Sequence, residues 1–213
     1  APVAQDASAT TAENAVLSGN VPAATDVDGT VASYQVVTGV GAGNGALTFN
    51  ADGTYTFDPG TDFDNLAQGQ TRDVTFTYTA TDDSGAVSAP KTVTITVTGT
   101  NDAPVAQNGS ATTGENAVLN GNVPAATDAD GTIASYQLVS GPGAGSGALT
   151  FNSDGSYAFN PGADFDSLAA GQTRDVTFTY TATDNSGAVS TPKTVTITDR
   201  KSTRLNSSHT DIS

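Results

Sequence analysis

Between Arg72 and Asp82 apolar and polar side chains alternate without a slip. Val74, Phe76, Tyr78 and Ala80 fall on one side, and Thr75, Thr77, Thr79 and Thr81 on the other. A period of two predicts a strand with one buried face. Weaker versions of this signal run along the residues before and after it. Residues 1–11, small and polar with Pro2 near the start, read as an irregular edge strand. Residues 15–19 read as a second short strand, and residues 31–38 as a third, with Ala32, Tyr34 and Val36 on one face. Ala46, Leu47, Thr48 and Phe49 run into Asn50-Ala51-Asp52-Gly53 and out through Tyr55, Thr56 and Phe57, a hairpin pattern around an Asp-Gly turn. Residues 58–70 form a long loop in which Phe63 and Leu66 tuck under as a single helical turn. The last strand carries Val87 and then Val93, Ile95 and Val97, with Pro90 marking an edge or a bulge. About seven short strands with turn chemistry between them predict two packed antiparallel sheets.

The pattern then starts again. Ala1-Pro2-Val3-Ala4-Gln5 returns as Ala103-Pro104-Val105-Ala106-Gln107, and the copies stay in step at an offset of 102 with about four-fifths of positions identical. The chain is therefore one unit written twice. The fold class expected is all-β, two tandem sandwiches of about seven strands each, spanning residues 1–100 and 101–198. The core of the second copy is expected from Tyr136, Leu149, Phe151, Tyr157, Phe159, Val176, Phe178, Tyr180, Val195 and Ile197. Asn101-Asp102 is the hinge between the copies.

After Thr198 the copying stops. Where the first unit reads Val97-Thr98-Gly99-Thr100, the second reads Asp199-Arg200-Lys201-Ser202. Residues 199–213 resemble the in-frame translation of a common short-read sequencing adapter. They are expected to be a non-native, unstructured tail that packs on nothing. The chain also begins in mid-pattern, as a fragment of something longer would, so the lack of a signal peptide carries no weight.

Composition narrows the function classes. The 213 residues carry 22 acidic and 7 basic side chains, a formal net charge of −15. That balance argues against nucleic acid and anionic membrane surfaces as partners. No apolar run reaches the length of a membrane span. There is no Cys, so thiolate metal sites and Cys nucleophiles are excluded. The one His, His209, lies in the tail, so no Ser–His–Asp arrangement is available to the repeats. The glycines between Gly39 and Gly45 lack the strand–loop–helix layout of a nucleotide site. Asp62 and Asp64 imitate a glycosidase pair, but neighbouring loop carboxylates are ordinarily solvated, and the chain is not expected to be an enzyme.

What recurs in each copy is a set of hard oxygen ligands. Glu13-Asn14, Asp26-Val27-Asp28-Gly29 and Asp82-Asp83-Ser84-Gly85 return as Glu115-Asn116, Asp128-Ala129-Asp130-Gly131 and Asp184-Asn185-Ser186-Gly187. Calcium takes 6–8 such oxygens. A D-x-D-G segment alone is also plain turn chemistry. Three acidic loops repeated in register around Asn101-Asp102 say more.

Four stretches carry a family resemblance: Thr25-Asp26-Val27-Asp28-Gly29, Asp52-Gly53-Thr54-Tyr55-Thr56-Phe57, Phe76-Thr77-Tyr78-Thr79-Ala80-Thr81-Asp82, and residues 93–104 with Thr98-Gly99-Thr100-Asn101-Asp102-Ala103-Pro104. The units resemble the cadherin-like and VCBS-type Ig-like tandem repeats of large bacterial surface adhesins. The resemblance implies Ig-like sandwiches, an extracellular place on a bacterial surface, and a role as a spacer. It implies calcium between successive repeats, with Glu13, Asn101, Asp102, Asp128, Asp130 and Asp184 as ligands. The partners implied are neighbouring repeats of the same chain and components of a cell surface or biofilm. Two positions depart from the cadherin pattern. Leu66-Ala67-Gln68-Gly69 stands near the place of its Asp-Arg-Glu element, and Gly99 stands where the linker's first Asp belongs, which implies fewer or weaker ions. Two other readings stay open: a carbohydrate- or cell-surface-binding module, and an accessory domain of a secreted enzyme.

Overall fold

The computed structural model describes residues 1–201. The chain divides into two compact units between Asp102 and Ala103. The first contains β1 (Ala7–Ala12), β2 (Leu17–Asn20), β3 (Val31–Thr38), β4 (Ala46–Phe49), β5 (Thr54–Asp58), β6 (Thr71–Asp82) and β7 (Lys91–Thr98). The second repeats them as β8 (Gly109–Gly114), β9 (Leu119–Asn122), β10 (Ile133–Ser140), β11 (Ala148–Phe151), β12 (Ser156–Asn160), β13 (Thr173–Asp184) and β14 (Lys193–Arg200). Each unit has a four-stranded sheet, in the order β1-β7-β6-β3 or β8-β14-β13-β10. Each also has a three-stranded sheet, β2-β5-β4 or β9-β12-β11. The two units are thus tandem β-sandwiches.

The alternation in β6 does what it predicts. Val74 faces Ile95 and Phe76 faces Val93 across the β6–β7 ladder, and all four are buried. Phe76 meets Tyr55 of the other sheet edge to face, with ring centroids 5.2 Å apart. A single 3-10 turn, Gly60–Phe63, drives Phe63 fully into the core, and Arg72 stacks its guanidinium 3.8 Å from that ring. In the second unit Tyr157, Phe159, Val176, Phe178, Tyr180, Val195 and Ile197 are buried, while Tyr136, Leu149 and Phe151 pack against them half-buried. Gly19 lies opposite Tyr55, and a Cβ there would come within 2.6 Å of the phenol. The tyrosine lies flat over the strand only because that position is bare.

Four local expectations change. A register shift between Val31 and Ser33 turns Ala32 outward, so Val31, Tyr34 and Val36 pack on the core instead. Val87 belongs to an isolated bridge with Thr81 and is 56% exposed, and the last strand begins only at Lys91. The sheets are not wholly antiparallel, since β1 pairs β7, and β8 pairs β14, in parallel. Finally, the expectation that nothing packs after Thr198 fails for the next residues. β14 runs on to Arg200, Asp199 is fully buried, and Lys201 donates its N–H to the Gln172 carbonyl. The ladder continues because backbone pairing is indifferent to side chains. The rest of the tail, including Leu205 and Ile212, lies outside the described residues.

Candidate functional site: acidic poles of the repeats

At the end of β1 the chain turns through Glu13, whose N–H bonds the Thr98 carbonyl at 2.9 Å. The Glu13 side chain is 1% exposed. Its Oε1 accepts the Thr100 N–H at 2.6 Å and the Thr100 hydroxyl at 2.8 Å. Its Oε2 is buried and has no hydrogen-bond partner. Glu13 opens onto a concavity of about 300 Å³ that Asn14, Asp58, Asp64 and Asp102 also line. A buried carboxylate oxygen left unpaired among further carboxylates is costly unless a cation joins it.

The backbone that carries Asn101 and Asp102 is fixed by Gly99. Gly99 donates to the Gln70 carbonyl at 2.8 Å and accepts from Gly69 at 3.0 Å. A Cβ on Gly99 would come within 2.4 Å of the Leu66 carbonyl and 2.5 Å of the Ala67 carbonyl. With the 66–70 loop where it stands, a side chain at this position of the first repeat would have to displace it, whereas the second repeat carries Lys201 at the equivalent place with the same backbone bonds to Gln172 and Gly171.

At the start of the first unit, Asp26, Asp28 and Asp82 gather around the Ala1 ammonium at 3.8, 4.0 and 3.6 Å. The Asp26 side chain is 1% exposed, and both its oxygens lack hydrogen-bond partners. Burial and the neighbouring Asp28 push its carboxyl above the usual range. Asp82 goes the other way. Its Oδ1 accepts the Ala86 N–H at 2.7 Å and the Ser84 N–H at 3.0 Å, and these bonds hold its carboxyl below the usual range.

The second unit builds the same pole. Asp128 Oδ1 accepts the N–H groups of Asp130 and Gly131 at 3.2 and 2.8 Å, while its Oδ2 is buried with no hydrogen-bond partner. Asp184 Oδ1 accepts from Ser186 and Ala188, both at 2.8 Å. Asn185 Oδ1 takes the Thr132 N–H at 2.8 Å and so ties the two acidic loops together. At the far end of this unit, Lys201 places its ammonium on Glu115, the counterpart of Glu13. Beside it Asp199 fills the slot that Val97 fills in the first unit. Both its oxygens are buried without partners, and burial, then Glu115, pushes its carboxyl up.

The six ligands named from the sequence thus fall in two sets. Glu13, Asn101 and Asp102 belong to the first unit, and Asp128, Asp130 and Asp184 to the second. Sequence reasoning missed Asp58 and Asp64. Asp62 and Asp64 do not act as a pair, because Asp62 accepts the Gly45 N–H at 2.8 Å while Asp64 lines the Glu13 concavity. The available signal was Phe63, a large apolar residue in a mostly polar loop and the anchor that places Asp64. All these donors are hard oxygens of the kind calcium takes. Among the described residues, no group of three or more acidic or imidazole side chains is placed so that it could hold a metal ion, and no helix is long and apolar enough to cross a membrane.

The sequence profile of the bacterial cadherin-like domain matches residues 1–99 and again 101–201. Among solved structures the chain is similar to Drosophila N-cadherin EC1-4, at 16% identity and a TM-score of 0.54, over 92% of this chain and 49% of that one. It is also similar to human protocadherin-24 EC1-2, at 19% identity and a TM-score of 0.51, over 96% and 99%. The chain spans about half the length of the N-cadherin fragment. At these identities the likeness shows the fold alone. No curated protein matches the sequence.

Proposed function

Since the chain belongs to the bacterial cadherin-like domain family, we propose that it is a spacer segment of a large secreted bacterial adhesin, and that calcium rigidifies it. In this reading calcium is taken up by Glu13, Asn101 and Asp102 at the end of the first repeat and by Asp128, Asp130 and Asp184 at the start of the second. Asp58 and Asp64 add oxygens to the first set.

The observation that carries the reading is the buried Glu13 oxygen without a partner, facing a concavity lined by three aspartates. An Asn-Asp pair directly joins this concavity to the next repeat. Without a cation, carboxylates that line one concavity repel one another. With calcium the repulsion becomes shared coordination, and the short linker loses its freedom. Extracellular modules of this kind bind calcium at about 10⁻⁴–10⁻³ M, so a calcium-poor cytosol would leave the linker slack and the exterior would stiffen it. The partners are then neighbouring repeats of the same protein, and the place is the bacterial cell surface.

Calorimetric titration with calcium tests the reading. The parent chain should bind in that range, and Glu13→Gln with Asp102→Ala should weaken binding at least about tenfold, the loss expected when two charged ligands go. Unchanged binding in the double variant would remove these residues from the site.

A further inference from the structure

The first and last strands of each repeat lie side by side and run the same way. β1 pairs β7 over six positions, from Ala7↔Val93 to Ala12↔Thr98. β8 pairs β14 over six, from Gly109↔Val195 to Gly114↔Arg200. Because the pairing is parallel, the chain comes into each repeat at one end of this ladder and leaves at the other. We propose that this ladder is a shear clamp, and that each repeat is built to bear tension along the chain.

Tension on the two ends draws β1 and β7 in opposite directions along their common axis. The ladder bonds lie across that axis, so all six positions are strained together. In an antiparallel hairpin pulled at its open ends, the rungs break in succession. Forced unfolding is set by the barrier and not by equilibrium stability, so a ladder that must fail all at once raises resistance without adding contacts.

Both ends of the ladder are also fastened. At its start the Thr92 N–H bonds Asp6 Oδ1 at 2.7 Å, and the Tyr78 hydroxyl bonds the Gln5 carbonyl at 2.7 Å. At its finish the Glu13 N–H bonds the Thr98 carbonyl, and Gly99 is held by Gln70 and Gly69. The second repeat keeps these ties through Asn108, with Thr194 N–H at 2.9 Å, and through Tyr180 on the Gln107 carbonyl at 2.6 Å. Further out, Val3 pairs with Thr25 only through an isolated bridge, which can peel before the ladder is loaded. The clamp stands on the ladder alone and needs no cation.

Single-molecule stretching of the whole chain by its ends, in chelator, tests this. Two main ruptures are expected, one per repeat. In the first repeat Ala9→Pro and Thr10→Pro are compared. Neighbouring amides of an edge strand point to opposite sides, so only one of the two prolines removes a rung to β7. That variant should lower one rupture force about twofold and leave the other rupture unchanged. Leu17→Ala, on β2 and against the core, should lower stability in urea yet leave the rupture force at the parent value. Should a proline variant fail to fold, Ser8→Cys with Gln35→Cys provides handles on the two edges of the same sheet of the otherwise parent repeat. Pulling there peels the ladders, and the rupture force should be about half that of end-to-end pulling. Equal force in the two directions, or a rupture force that follows urea stability in every variant, would overturn the clamp.

Discussion

Asp199→Val should make the second repeat much more stable. Asp199 is fully buried, and both its carboxylate oxygens lack partners. The same slot in the first repeat holds Val97, also fully buried. A buried valine in its place contributes roughly 1.5–3 kcal/mol, and removing an unsatisfied buried polar group relieves roughly 1–3 kcal/mol more. Loss of the attraction between Asp199 and Lys201 subtracts a little, so a net gain of about 3–5 kcal/mol is expected. For a domain of this size that raises the melting temperature by more than about 12 °C. Differential scanning calorimetry of the whole chain is the assay, because the first repeat serves as an internal reference. In the parent the lower transition should belong to the second repeat, and in the variant the two transitions should approach each other.

The pH dependence checks the cause. The Asp199 carboxyl is pushed up in the folded state, so folding favours its protonated form. Its penalty is full above the folded pKa and is relieved as pH falls through that value toward the unfolded one near 3.9. The parent's second transition should therefore gain on the first as pH falls through this window, and the variant should show no such gain. A variant transition that stays put or moves down would refute the reasoning.

Other outcomes follow from the same geometry. Phe76→Ala or Phe178→Ala should cost ~3–5 kcal/mol in urea melts, and only in its own repeat. Gly99→Ala should shift the 66–70 loop, visible as new amide resonances at Gly69, Gln70 and Thr100, and should weaken calcium binding without unfolding the sandwich. Asp82→Asn should destabilise the first repeat at neutral pH. Because the Asp82 carboxyl is held low, the parent's advantage is present above the unfolded value near 3.9 and is lost as pH falls through the folded one; acid melts of the two proteins should converge there.

Much of the fold was legible because burial imposes its period on the sequence. β6 is long and buries every second residue, so its alternation is clean, and it sets the register of β3 and β7 on either side. The bulge at Ala32 was not legible, since one extra residue in a strand of small side chains leaves no mark. Nor was the parallel pairing of β1, whose short Ala/Ser/Thr run reads the same for either direction. The acidic loops could be read as a set only because the chain states them twice. Asp64 was missed because two carboxylates two residues apart in a loop look equivalent; the buried ring of Phe63 and the Gly45 N–H on Asp62 make them different. At Asp199 the expected break does not come, because a residue of any kind still pairs through its backbone when the preceding strand residues, from Lys193 onward, hold the register.

The central claim, that calcium rigidifies the linker between the repeats, is tested most directly by small-angle scattering on the 213-residue chain, in calcium and in chelator. Calcium should narrow the distribution of end-to-end distances and increase the maximum dimension, and Asp102→Ala should abolish the change while both repeats stay folded. Scattering curves that superimpose with and without calcium would contradict the claim.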